Sequence, residues 1–281
     1  MNPIGGSFQG IPQARQLGII QQQKQGVFET LATGLRINRG ADDPAGLVSS
    51  EQLRAMLAEL EAESSSLERA RGAAVVADRS LGEIGDLLIE AEALAVANAN
   101  TGGLSEAERE ANQMELNSIL SAVDRVASTS GFKDTPLLRG GMSLDINGAS
   151  LSLPSAAVTD LGSTEIDGET YTLADVASGG KFAIDGPTTD RSLEIIRAAR
   201  QEAIFAQAEV GAFEMNAIAP RQAGLGVAIE SLTAAESSIR DTDYAKATAA
   251  LSRLDILETA SLRISSAGAR FDPRQLIKLL G

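Results

Sequence analysis

The chain has 281 residues, enough for one or two domains with a real core, but only 3% are aromatic and Trp is absent, so that core must be closely packed Ala and Leu. Its 24 basic and 38 acidic residues leave a formal charge of -14, which repels phosphate backbones and anionic bilayers and argues against nucleic-acid and membrane binding. The lack of Cys and His excludes disulfides, thiol nucleophiles, imidazole bases and the usual zinc ligands, and no cofactor is expected.

No stretch approaches the roughly 20 apolar residues of a membrane span. Residues 1–25 lack a basic head and a long apolar run, so no cleaved secretory signal is expected there. After a Gly- and Pro-containing opening, Pro12 fits the first turn of a helix predicted from Gln13 to Leu35. Leu17, Ile20, Val27, Phe28, Leu31 and Leu35 give that helix a ragged apolar face, which suits a solvent-touching helix of a globular domain as well as one awaiting a partner. The charged link 36–43 follows.

The longest pattern runs from Pro44 to Asn100. Leu53, Leu60, Leu67, Ala74, Leu81, Leu88 and Ala95 recur every seven residues, with Met56, Ala70, Ala77, Ile84 and Ala91 on the neighbouring row. Such a stripe asks for a partner helix along its length. Asp43-Pro44 supplies an N-cap and a first-turn proline, and Asn100-Thr101-Gly102-Gly103 a stop. An unbroken helix here would be ~85 Å long, so a rod is expected.

Ser105-Glu106-Ala107-Glu108 reads as a capping box opening a helix to about Ser128, and the short link before it favours an antiparallel return along the first. The period then becomes two: Leu144 and Ile146, Asn147-Gly148, and Leu151 and Leu153 predict a β-hairpin. A second, weaker hairpin surrounds Asp167-Gly168. Residues 154–191 read as a surface excursion with little helix. Ser178, Thr188 and Thr189 there suit either an ordinary polar loop or O-linked sugars.

From Asp190 to about Ile239 the helical period resumes. Ile196, Ala203, Val210, Ala217 and, with a lapse, Gly224 keep the spacing of seven, beside Ala199, Ala206 and Phe213. This is the partner the first stripe requires, and Pro220 predicts a kink or break within it. A last helix from about Asp243 to Ser266 carries Leu251, Leu254, Leu257, Leu262 and Ile264, and the tail ends in Leu276-Ile277-Lys278-Leu279-Leu280. The fold class expected is mainly α: an elongated antiparallel bundle of long helices, a small β-hairpin region mid-chain, and paired terminal helices. Leu53, Leu60, Leu67, Leu81, Ile84, Leu88, Val210 and Phe213 are the expected packing residues of the long helices.

Two segments at opposite ends carry a resemblance. Leu31-Ala32-Thr33-Gly34-Leu35-Arg36-Ile37-Asn38, followed by Ala41-Asp42-Asp43-Pro44-Ala45-Gly46-Leu47, is similar to the "LSSGLRIN…DDAAGL" signature of bacterial flagellin. Residues 232–245 (LTAAESSIRDTDYA) resemble that family's "NLSAARSRIEDTDFA", and residues 121–138 its "NEIDRVSNTTEFNGKKLL" segment. The resemblance implies a structural subunit, not an enzyme, that polymerises head-to-tail into a helical tube for swimming motility. It implies an inner-tube coiled coil formed by residues 1–43 with 240–281, a helical rod of 44–138 with 190–239, and a surface region at 139–189. Inner-tube contacts would then fall on Leu17, Ile20, Phe28, Leu31, Leu35, Leu251, Leu254, Leu257, Ile264, Leu276 and Leu279. Partners would be copies of itself, a flagellar export chaperone, the type III export apparatus, and junction and cap proteins, with an extracellular location reached without signal cleavage.

Residues 88–96 (LIEAEALAV) align with the family's "LQRVRELAV", the segment resembling the contact for a flagellin-sensing Toll-like receptor. Glu90 and Glu92, ahead of Leu94, stand where that pattern has arginines, so weak or no receptor recognition is expected. The rival within the superfamily is a hook-filament junction protein. A carboxylate enzyme on Asp42-Asp43 or Asp241-x-Asp243 is the reading from another class, and each pair sits where acids cap helix starts. A generic coiled-coil scaffold would explain the heptads but leaves both end signatures without a reason.

Overall fold

A computed structural model describes residues 10–100, 103–133, 135–146 and 148–270. Six α-helices, three two-stranded antiparallel ladders and a 3₁₀ turn follow one another among them. The chain divides into two compact units, residues 1–59 with 228–281, and residues 60–227.

Helix α2 (Pro44–Ala99) is continuous for 56 residues, as its stripe predicts. Helix α3 (Glu106–Thr129) opens on the expected capping box: the Ser105 hydroxyl accepts from the Glu108 N–H while the Glu108 carboxylate accepts from the Ser105 N–H at 2.7 Å. Within residues 60–227, α3 runs antiparallel to α2, since Ser130 meets Ser80 at 2.7 Å near one end and Asn112 meets Asn98 at 2.6 Å near the other. Helix α4 (Thr189–Phe213) also runs antiparallel to α2. Glu92 pairs with Arg197 and Arg200 at 2.7 and 3.1 Å, Arg71 with Glu214 at 3.0 Å, and Glu63 with Arg221 at 2.6 Å. These ion pairs are partly exposed, so each stabilises only modestly.

The core follows the heptads. Ala74, Ala77, Leu81, Ile84, Leu88, Ala91 and Ala95 of α2 are buried against Leu116, Leu120 and Val123 of α3 and Ile196, Ala199, Ala203 and Val210 of α4. Alanine at so many of these positions lets helices pack closely without aromatic filler. Each buried Leu or Ile contributes on the order of 1.5–3 kcal/mol.

The lapse at Gly224 has a structural cause. Between α4 and α5 (Ala219–Arg240) lies a π turn, Glu214–Ile218, whose ring is closed by the Ala219 N–H donating to the Glu214 carbonyl five residues back. The π turn takes up one extra residue, so the buried row passes from Val210 to Ile218 and Leu225 instead of Ala217 and Gly224. Pro220 follows at once; it brings no N–H and would crowd the carbonyl four residues earlier in a regular α-helix. The break expected at Pro220 is thus a π turn just before it.

Both predicted hairpins form. Strand β3 (Arg139–Ile146) pairs with β4 (Ala149–Ser155) through a two-residue connection, Ile146 opposite Ala149. Strand β5 (Thr164–Ile166) pairs with β6 (Glu169–Tyr171), and Asp167 and Gly168 both take positive φ, 56° and 84°, as a type I′ turn requires. A third ladder, β1 (Gly131–Phe132) with β2 (Thr135–Pro136), has no alternating pattern to announce it.

Residues 154–191 are not a surface excursion. Leu161, Ile166, Leu173, Val176, Phe182 and Ile184 are buried in the same core as the long helices, and Tyr171 meets Phe182 edge to face at 4.8 Å. Their apolar residues come singly, without a period of 2 or 3.6, which is why the sequence pattern misses them. Polar helix residues hold the segment in place: the Gln113 carbonyl accepts from the Ile184 N–H at 2.6 Å, its amide donates to the Val176 carbonyl, and Asn98 donates to the Ile184 carbonyl at 3.2 Å.

Candidate assembly interface

Helix α1 (Gly10–Thr33) and helix α6 (Tyr244–Arg270) of the unit formed by both chain ends lie close together along their lengths. Pro12 stands in the first turn of α1, where no intrahelical N–H is needed. The Lys24 ammonium spans the pair, 2.6 Å from Asp255 and 2.9 Å from Glu258, and these two hydrogen bonds raise its pKa. No sequence signal announces that bridge, because its partners are more than 230 residues apart.

The segments joining these helices to α2 and α5 hold each other. The Arg36 N–H donates to the Arg240 carbonyl at 2.7 Å, the Thr242 N–H donates to the Gly34 carbonyl at 2.8 Å, and Leu35 forms an isolated antiparallel bridge with Asp241. Helix α1 stops where Gly34 takes φ 73°. The Asp42 carboxylate accepts from the backbone N–H of Asn38 and Arg39 at 3.0 and 2.9 Å, which lowers its pKa. Asp43 caps α2 through the Gly46 N–H at 2.9 Å, and Asp243 caps α6 through the Lys246 N–H at 3.0 Å. Ile37 is wholly buried in this cluster. A Cβ on Gly46 would come within 2.7 Å of the Ile37 methyl and 2.8 Å of the Asp43 carboxyl carbon, so a larger residue must displace one of them. The two end signatures are therefore two sides of one interlocked link.

The expected inner-tube residues fall into distinct settings. Ile20 and Leu254 are buried between the helices, Leu17, Leu31, Leu35 and Leu251 are half-buried, and Phe28, Leu257 and Ile264 are exposed. Leu276 and Leu279 lie outside the described residues. Ile19, Ile256 and Leu262 are exposed as well, with Ile256 69% accessible. Large apolar side chains of both helices are thus left accessible to solvent. An open groove of about 720 Å³ runs beside them, floored by Val27, Leu254 and Leu257 and edged by Arg36, Asp42 and Arg253.

Of the expected packing residues, Leu67, Leu81, Ile84, Leu88, Val210 and Phe213 are buried, while Leu53 and Leu60 are half-buried. Glu90 is exposed; Glu92 is held by Arg197 and Arg200; Leu94 packs against the core edge. Among the described residues no group of three or more acidic side chains is placed to hold a metal ion, and no helix is long and apolar enough to cross a membrane.

Residues 12–142 match the bacterial flagellin N-terminal helical region and residues 193–280 the bacterial flagellin C-terminal helical region. The chain is 32% identical over 244 residues to flagellin FlaB2 of Treponema pallidum, covering 83% of this chain and 84% of that one. It is 29% identical to the flagellin of Bacillus subtilis, over 90% of this chain and 91% of the other, and 29% identical to a flagellar filament 30.7 kDa core protein of Treponema maltophilum, over 88% and 89%. A putative flagellar hook-associated protein from Vibrio parahaemolyticus shares the fold with TM-score 0.53 at 16% identity, over 71% of this chain and all of that one. With both helical regions matched in order at the two ends, and with a relative 32% identical over more than four-fifths of both chains, the chain belongs to the bacterial flagellin family.

Proposed function

We propose that this chain polymerises through the paired terminal helices α1 and α6, whose exposed apolar residues are covered by neighbouring copies in an inner tube. It is a structural subunit of the flagellar filament, as its family membership establishes. The observation that carries the mode of assembly is the set of large apolar side chains left accessible on that helix pair, Phe28, Ile256, Leu262 and Ile264 among them. Contacts of one face onto a different face of the next copy, repeated by a rotation that does not close, give an open helical polymer. In this reading residues 1–43 with 240–281 form the inner tube, residues 44–138 with 190–239 the surrounding rods, and residues 139–189 the outer region.

Further partners follow from the same reading: a flagellar chaperone for the C-terminal segment, passage uncut through the type III export apparatus to the cell exterior, and junction and cap proteins at the filament ends. The acid pairs serve as caps and turn acceptors at Asp42, Asp43 and Asp243, which supports a purely structural role. The hook-filament junction role is not favoured, since the full-length relatives are filament proteins. Electron microscopy of the purified chain under salting-out conditions tests the reading: long filaments are expected, and a protein that stays monomeric or stops at short rings would overturn it.

The Toll-like receptor is expected to recognise this chain weakly. Glu90 presents an acid on the exposed face of α2, and Glu92 is engaged by two arginines. A like charge at an interface costs several kcal/mol, on the order of a hundredfold or more in affinity. In a reporter-cell assay the purified monomer should signal at least about tenfold below a receptor-active flagellin; equal potency would refute the expectation.

A further inference from the structure

We infer that the π turn Glu214–Ile218 is a built-in joint, where the run from α4 into α5 opens and bends while two ion pairs to α2 clasp it from either side. The turn sits where the buried row slips by one residue. Ile218 is its one wholly buried side chain, and Met215 and Asn216 face solvent. Pro220 supplies no N–H to the carbonyls four and five residues before it, those of Asn216 and Met215, so the backbone ladder is weakened at the turn although Ile218 stays anchored in the core.

The Phe132 ring lies against Gly72, with a Cβ there only 3.1 Å from it, and marks where α3 gives way to the β1–β2 ladder. The continuous core begins at Ala73 on α2; Leu67 and Leu225 are buried but stand apart from it. Two clasps reach α2: Arg71 Nε to Glu214, the first residue of the turn, at 3.0 Å, and the Arg221 guanidinium, just after the turn, to both Glu63 carboxylate oxygens at 2.7 and 2.8 Å. Exposed pairs of this kind weaken with salt, so the joint is looser at high ionic strength.

Hydrogen exchange on the full, unassembled chain tests the joint without reference to polymerisation. Amides of residues 214–222 should exchange at least about tenfold faster than those of 199–210, and faster again between 0.05 and 0.3 M NaCl, on the scale of local opening. Deleting Asn216 together with Pro220→Ala returns Val210, Ile218 and Leu225 to an even spacing of seven, and exchange across the junction should then slow toward that of α4. A second variant, Glu63→Gln with Arg71→Gln, leaves the turn intact and should speed exchange several-fold. Wild-type protection at 214–222 equal to that at 199–210 overturns the joint. So does a folded deletion variant that exchanges as fast as the wild type, and so does indifference of the turn to loss of both clasps.

Discussion

Gly46 ties a local conformation to the long-range link. It lies in the first turn of α2, where Asp43 receives its N–H and the Ile37 side chain closes over it. Gly46→Ala should cost about 2 kcal/mol, because the added methyl must displace either the cap or the buried Ile37. A thermal melt followed by circular dichroism, compared with a control such as Gly85→Ala where nothing lies within 4 Å of the new methyl, measures this; equal melting of the two would refute it. The sequence marks the motif Asp42-Asp43-Pro44-Ala45-Gly46 as a helix start and, by resemblance, as a signature. That its glycine is required by a side chain nine residues earlier is a tertiary fact which no local spacing encodes.

At the level of elements, the long helices, both hairpins and the capping box are legible because each rests on a period or a turn chemistry confined to neighbouring residues. The 173–189 path is not legible, since it is fixed by Gln113 and Asn98 reaching across from α3 and α2. The π turn is partly legible: the heptad lapse and Pro220 locate a fault, but not whether the chain kinks or takes in an extra residue. The link between helices α1, α2, α5 and α6 carries a pH dependence. The pKa of Asp42 is lowered by the Arg39 and Asn38 N–H groups, that of Asp243 by the Lys246 N–H, and that of Glu51 by hydrogen bonds from Arg54 and Arg240. Groups held below their unfolded values stabilise fully above those values, and the contribution fades as pH falls through the folded ones. The terminal unit should therefore loosen below about pH 4 and be insensitive to these groups from pH 5 to 8. Amide exchange of residues 34–46 against pH checks this, and equal protection at pH 3 and pH 6 would contradict it.

For the whole molecule, assembly into a filament is the function, and the proposed contacts lie on the terminal unit. Leu257→Asp combined with Ile264→Asp places charges on the accessible side of α6 while leaving the buried Leu254 and Ile20 in place. Helix content should be retained and elongation reduced at least about a hundredfold, since each charge must be desolvated at the contact. Sedimentation of polymer measures this, and normal filament mass would place the contacts elsewhere. The pairing of α1 with α6 is only partly legible in sequence because the apolar face is ragged: Ile20 and Leu254 are buried between the helices, while Phe28, Ile256 and Ile264 are left accessible.

The backbone bonds of Arg36 to Arg240 and of Thr242 to Gly34 join stretches separated by some two hundred residues. A ribosome that has delivered α1 must therefore go on to deliver some two hundred further residues before the mate of that helix exists. Throughout that interval the leading segment is a half-interface, open to proteases, to aggregation and to any holding protein that competes for it. That stitch can close only after every residue of the 60–227 unit has emerged.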